Sequence, residues 1–171
     1  MVYKASFDTL TKVLTIGIFL LFVSIGITTV KNLKVTSDIK LLISCSTLLL
    51  PIAVFIGSFL FSIKNYVIDN HELTINRQLG KKSISIADIA EIRIVQEGDM
   101  RGTIRTFGDG GLFGYYGKFH NRTFGSITLY TTRRTNRIYI RTHSGDKIII
   151  SPDDLSLVEQ LKSELNSRLN T

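Results

Sequence analysis

Three histidines, an adjacent carboxylate pair and a glycine-rich run are the residues of this chain whose types could do chemistry. Their spacing decides what each can support. His71, His120 and His143 each lack a second histidine or a cysteine at ligand spacing, so no metal site is expected. His71 and His143 fall where turns are expected, and His120 lies in a basic, aromatic stretch. Asp153 and Asp154 could act as paired carboxylates, but they follow Ser151-Pro152 at the head of a helical pattern. Acidic residues there complement the helix dipole, with Ser151 as N-cap and Pro152 at the first helical position. No serine stands in a nucleophile-elbow context. The run GDGGLFG from Gly108 invites a nucleotide-loop reading, yet Phe113 occupies the place of a third glycine. No Gly-Lys-Ser/Thr follows it, and no helix opens after it to hold a phosphate. Asn121-Arg122-Thr123 matches a glycosylation acceptor that a cytoplasmic position would leave idle. These residues add up to no catalytic set and no cofactor site, and the chain reads as non-enzymatic.

Binding chemistry is better represented. RTFGDGGLFGYYGKF, Arg105 to Phe119, packs five glycines and five aromatic residues into fifteen positions. Phe107, Phe113, Tyr115, Tyr116, Phe119 and Phe124 suit a membrane interface. Arg101, Arg105, Lys118 and Arg122 can meet anionic lipid, each contributing roughly 1 kcal/mol near the surface. The glycines let backbone approach backbone. Three uses stay open: contact with lipid, a loop folded onto its own domain, or packing against a neighbouring subunit. A second basic group, Arg133, Arg134, Arg137 and Arg141, reads either as a solvated edge that discourages strand pairing or as a docking site for an acidic partner.

The elements that must position these residues divide the chain in two. Its 171 residues suffice for one ordinary domain and little more. The net charge of +7 would suit a nucleic-acid binder, but two long uncharged apolar runs exclude that class. Val13 to Val30 is eighteen residues bounded by Lys12 and Lys31; Leu41 to Ile63 is twenty-three bounded by Lys40 and Lys64. About 20 apolar residues cross a bilayer core as a helix, so both runs read as transmembrane spans. No Ala-x-Ala-like site follows the first run, which argues against a cleaved signal peptide. The lone cysteine, Cys45, lies within the second span. Lys4, Lys12, Lys64, Arg77, Lys81 and Lys82 flank the spans on one side, against Lys31, Lys34 and Lys40 on the other. That bias predicts cytoplasmic termini and an external Lys31 to Lys40 loop.

From residue 65 the period changes. Leu73 with Ile75, Ile84 with Ile86, Ile92 with Ile94, Ile127 with Leu129, and Ile138 with Ile140 alternate with polar residues, as half-buried strands do. Asp69-Asn70, Gly80 and Ser144-Gly145-Asp146 mark turns. At the end, Leu155, Val158, Leu161, Leu165 and Leu169 make one stripe at helical spacing. About seven strands and a C-terminal amphipathic helix that covers their open face are therefore expected.

This arrangement resembles the membrane-anchored bacterial pleckstrin-homology-like (bacterial PH) proteins. The likeness is carried by YVIDNHELTINR after the second span, by the glycine-aromatic segment, and by SPDDLSLVEQL at the head of the helix. It implies a PH-like β-sandwich or barrel over 65–171, with an insertion at 97–125, behind an anchor over 1–64. It implies the bacterial inner (plasma) membrane and a binding role, and it leaves the ligand open because the fold hosts many. Phosphoinositide recognition through a basic first hairpin is not carried over, since that hairpin reads Asp69, Asn70, His71, Glu72. The expected partners are membrane lipids, a membrane protein, or further copies of the chain; nucleic acid is not expected. With up-and-down strand order and only Lys64 and Asn65 as linker, the insertion starts and ends at the membrane side. Phe107, Phe113, Tyr115, Tyr116, Phe119, Arg105 and Lys118 then form an interaction surface on the side that also carries Lys81 and Lys82.

Overall fold

Aspartate before a long apolar run is a helix start, and Asp8 serves as one. Its Oδ1 accepts the Thr11 N–H at 2.7 Å, which caps α1 (Thr9–Lys31). In this computed structural model, α1 is followed by a second apolar helix, α2 (Asp38–Phe61). The structure describes residues 1–31 and 38–169. The connection expected to be external, with Lys34, lies outside the described residues, as do the side chains of Lys40 and Leu169. Both helices are long and apolar enough to cross a membrane, and Leu20, Leu21, Leu49 and Leu50 along them are exposed.

Among the described residues, ten strands make two sheets. The first contains β1 (Val2–Lys4), β2 (Ile63–Asp69), β3 (Glu72–Arg77) and β4 (Lys81–Ser85), in that order. β1 precedes the helices yet pairs antiparallel with β2, Tyr3 opposite Tyr66. The second sheet holds β5 (Ile89–Ile94), β6 (Ile104–Gly110), β7 (Tyr115–Asn121), β8 (Gly125–Thr131), β9 (Ile138–Thr142) and β10 (Lys147–Ile150). Its order is β5-β9-β10-β8-β7-β6, with β10 parallel to β8. The up-and-down order assumed from sequence therefore does not hold. β5 and β6 are successive in the chain but stand at opposite edges of the sheet.

Two clusters follow from the alternation. Ile138, Ile140, Ile148 and Ile150 face Tyr66, Leu73 and Ile75 of the first sheet, together with Leu157, Val158 and Leu161 of the terminal helix α3 (Ser156–Leu169). Tyr66 joins the sheets: its hydroxyl donates to the Tyr130 carbonyl at 2.7 Å and accepts the Ser151 N–H at 3.1 Å. Burial pushes its pKa up to about 12. On the outer face, Tyr115, Phe119, Phe124, Ile127, Leu129, Tyr139 and Ile149 form a second cluster. The β5-to-β6 connection lays Val95 and Met100 over it. With both faces covered, β10 can be apolar at consecutive positions.

The expected fold of two apolar helices, a mainly-β unit and a C-terminal helix is observed, with ten strands rather than about seven. The head of α3 differs from its sequence reading. Ser151 is not the N-cap: its Oγ accepts the Thr132 N–H at 2.9 Å, and the helix starts at Ser156, whose N–H bonds Asp154 Oδ1 at 2.9 Å. Asp153 is drawn away to the Ser6 N–H and to Arg133. Tertiary partners outcompeted the local cap.

Candidate functional site

The glycine-aromatic segment is the β6–β7 hairpin. Gly108 pairs with Gly117 across it, at φ +113° and +112°. A Cβ at Gly108 would lie 2.2 Å from the Tyr116 carbonyl oxygen, and one at Gly117 would lie 2.3 Å from that of Phe107. Only glycine permits this approach.

The hairpin's tip is closed by a bond from the Gly111 N–H to the Gly114 carbonyl at 2.8 Å and by Asp109 Oδ1 accepting the Leu112 N–H at 3.0 Å. Phe113 sits at φ +56°, a conformation that costs a non-glycine residue energy unless its surroundings hold it. They do so here. Its N–H donates to Thr15 Oγ1 of α1 at 3.1 Å, and its ring lies 4.9 Å from Phe55 and 5.4 Å from Phe59 of α2. Phe7 closes the cage at 6.4 Å. Next to it, the Tyr116 hydroxyl donates to the Ser58 carbonyl at 3.0 Å, and Ser58 Oγ donates to Asp109 Oδ2 at 2.7 Å. Burial, reinforced by the Asp109 charge, raises the Tyr116 pKa to about 12.

Two further ties hold the sheets to the helices. The turn after β3 caps α2 through Leu79 N–H to the Leu60 carbonyl at 2.8 Å and Gln78 N–H to the Ser62 carbonyl at 3.0 Å. The turn after β8 meets the start of α1. There the Thr132 carbonyl accepts Thr11 Oγ1 at 3.3 Å, and the Arg134 N–H donates to Asp8 Oδ2 at 3.0 Å. Burial alone would raise the Asp8 pKa, but the bonds from Thr11 and Arg134 and the Arg134 charge outweigh it and hold the carboxyl below its usual range.

Along the outer face of the hairpin runs a cleft of about 650 Å³. Tyr115, Phe119 and Leu129 lie along it, and four arginines border it: Arg101 and Arg105 on one flank, Arg134 and Arg137 on the other. Two of these meet at Tyr115, and a third lies beside its cross-strand neighbour. Arg134 Nε donates to the Tyr115 hydroxyl at 3.0 Å. The Arg134 and Arg137 guanidinium carbons lie 5.5 and 5.9 Å from its ring centre. Arg105 reaches Gly110, the cross-strand neighbour of Tyr115. Arg137 is half-buried, and its Nε has no hydrogen-bond partner among the described residues. Burial lowers its pKa and Arg134 adds to the effect, opposed by Tyr115 and Asp8. Among the described residues that border the cleft, none is a carboxylate.

The residues singled out from sequence thus divide. Arg105, Tyr115 and Phe119 share the cleft, whereas Phe113 and Tyr116 face the helices. Phe107 is 77% exposed on β6, a sheet edge, and Lys118 is exposed on the face opposite Phe119. Lys81 and Lys82 open β4 in the other sheet, and Lys82 pairs with Asp146 at 3.9 Å. Arg133 and Arg141, grouped from sequence with Arg134 and Arg137, are spoken for by Asp153 and by Glu91. The meeting of Arg101 and Arg105 with Arg134 and Arg137 was not legible in sequence. The β7–β8 register, which sets Tyr115 opposite Thr131, is what brings the two arginine pairs together.

Residues 64–169 match a family model described as a bacterial PH domain. No curated protein and no solved structure matches the chain.

Proposed function

The chain belongs to the bacterial PH domain family, and from that premise we propose that it is a bilayer-anchored, non-enzymatic binding module. PH domains are typically non-catalytic binding modules. In our reading, residues 1–64 anchor the chain, and the domain over 65–171 borrows β1 from the anchor segment. The domain engages the lipid surface or a membrane-protein partner beside the two spans.

The observation that carries this reading is the seating of the hairpin tip. Phe113 is caged by Phe7, Phe55 and Phe59, so the aromatic segment meets the ends of both apolar helices rather than open solvent. Together with the two turns bonded to helix ends, it would hold the domain flat against a bilayer that the helices cross. Exposed apolar side chains along both helices favour such a bilayer, since soluble proteins rarely leave patches of that size uncovered. The pairing of β1 with β2 supports placing both helix flanks on one side of such a bilayer. The lysine and arginine bias favours the cytoplasm for that side.

Single cysteines at Val35 and Asn166, in a Cys45→Ser background, test the arrangement with an impermeant thiol reagent on intact cells. Labelling at Val35 alone is expected. Labelling at Asn166 alone would invert the topology, and labelling at both would remove the anchor.

A second reading has its own observation. β6 is an unpaired edge that exposes Ile104 (66%) and Phe107 (77%), a surface on which another copy could pair. An oligomer that persists in detergent at high salt and dissociates on Phe107→Lys would favour this structural-subunit role.

A further inference from the structure

We propose that the cleft around Tyr115 is a phosphate-binding site, with Arg105, Arg134 and Arg137 as its ligands and Arg101 at its outer end. The membrane part of this inference rests on the anchored reading above; the anion chemistry does not.

The argument starts from charge. Four guanidinium groups border one cavity of about 650 Å³, and among the described residues none of them has an ion pair of the kind that occupies Arg133 or Arg141. Asp8 acts electrostatically on Arg134 and Arg137, and its oxygens are already taken by the Thr11 and Arg134 N–H groups. Arg134 and Arg137 repel one another across Tyr115, and a partly buried guanidinium without a partner for its Nε, as at Arg137, is costly. An anion seated among them removes both penalties.

The geometry narrows the anion. Arginine forks pair with planar or tetrahedral oxyanions through two N–H groups at a time. Three forks that border the cleft, Arg105 from β6 and Arg134 and Arg137 from the turn after β8, can surround a tetrahedral group, whereas a single carboxylate offers two oxygens. The orientation of Arg134 is fixed by its bond to the Tyr115 hydroxyl, so part of the ordering cost is met before a ligand arrives.

Position narrows the source. Tyr115 follows the hairpin tip that packs on α1 and α2, and Arg134 lies in the turn bonded to the head of α1. If the helices span a bilayer, this end of the cleft stands at headgroup level, and a lipid phosphate monoester fits it. The site is far in sequence from the acidic first hairpin, Asp69 to Glu72, and owes nothing to it.

The test uses the full chain in detergent and separates the two sources. Inorganic phosphate is titrated calorimetrically. In parallel, native mass spectrometry counts phosphatidic acid retained against phosphatidylcholine. Binding in either arm, weakened about tenfold by Arg105→Gln or Arg134→Gln and unchanged by Arg141→Gln, supports the site. Response to phosphatidic acid alone assigns a lipid headgroup, and response to inorganic phosphate assigns a free ligand. Arg137→Lys keeps the buried charge but not the fork, and a loss with it at unchanged thermal stability supports a bidentate role. Retention equal to wild type in the Arg105 and Arg134 variants overturns the proposal. So does indifference to both phosphates, with or without capture of an acidic peptide. Because neither arm needs a bilayer, failure here leaves the topology labelling to stand or fall separately.

Discussion

At the scale of single residues, the decisive positions are those where the backbone does something that a side chain would forbid. Gly117 lies 2.8 Å, measured from its missing Cβ, from Gly108 Cα, at a φ of +112°. Gly117→Ala is therefore expected to cost about 1–3 kcal/mol from conformation alone, with the backbone clash added. Gly98→Ala, where nothing lies within 4 Å, should be near neutral. Thermal unfolding of the two variants in detergent checks this; equal melting temperatures would show that the hairpin is not so tightly closed. The sequence reading anticipated that these glycines allow close backbone approach. It did not anticipate strands, because five glycines in fifteen residues obscure the alternation by which strands are recognised. Arg134 and Arg137 were visible as a basic group, but nothing local separates them from Arg133 and Arg141. Only the ion partners Asp153 and Glu91 do that.

At the scale of elements, two carboxylates fasten the N-terminal segment to the rest of the fold. Asp8 caps α1 and holds the turn after β8; Asp153 accepts the Ser6 N–H and pairs with Arg133. For Asp153 too, burial alone would raise the pKa, but the bonds from Ser6 and the charges of Arg133 and Lys4 outweigh it. Both folded-state values lie below the ordinary 3.8. A depressed carboxylate contributes stability above its unfolded value, and the contribution is lost as pH falls through the folded one. Amide exchange protection at Ser6 and Thr11 should hold steady from pH 7 down to about 5. It should then fall below pH 3.8. Protection that is flat into strong acid would mean that these bonds do not hold the segment. β2, β3, α3 and the turns between them were legible, since they need only period, turn residues and one apolar stripe. β1 was not: three residues before an apolar helix carry no period, and their pairing with β2 is purely tertiary.

At the scale of the whole molecule, the central claim is that a family-typical binding domain is held flat on a bilayer by two spans and by its own hairpin tip. The two apolar helices and the PH-like character of the rest were legible in sequence. The side on which the aromatics lie was reached by counting strands in an order that the second sheet does not have. The hairpin nonetheless meets the helices, through its tip rather than through the ends of the insertion. The chain contains no tryptophan, so single reporters can be placed without background. The most direct measurement is quenching by brominated lipids in proteoliposomes of the full chain carrying Leu79→Trp, Phe113→Trp or Ser144→Trp. Leu79 is 55% exposed in the turn that caps α2, Phe113 sits between the helices, and Ser144 lies in the β9–β10 turn. Strong quenching at positions 79 and 113, with little at 144, is the predicted result. Equal quenching at all three positions, or none at 79 and 113, would contradict the account.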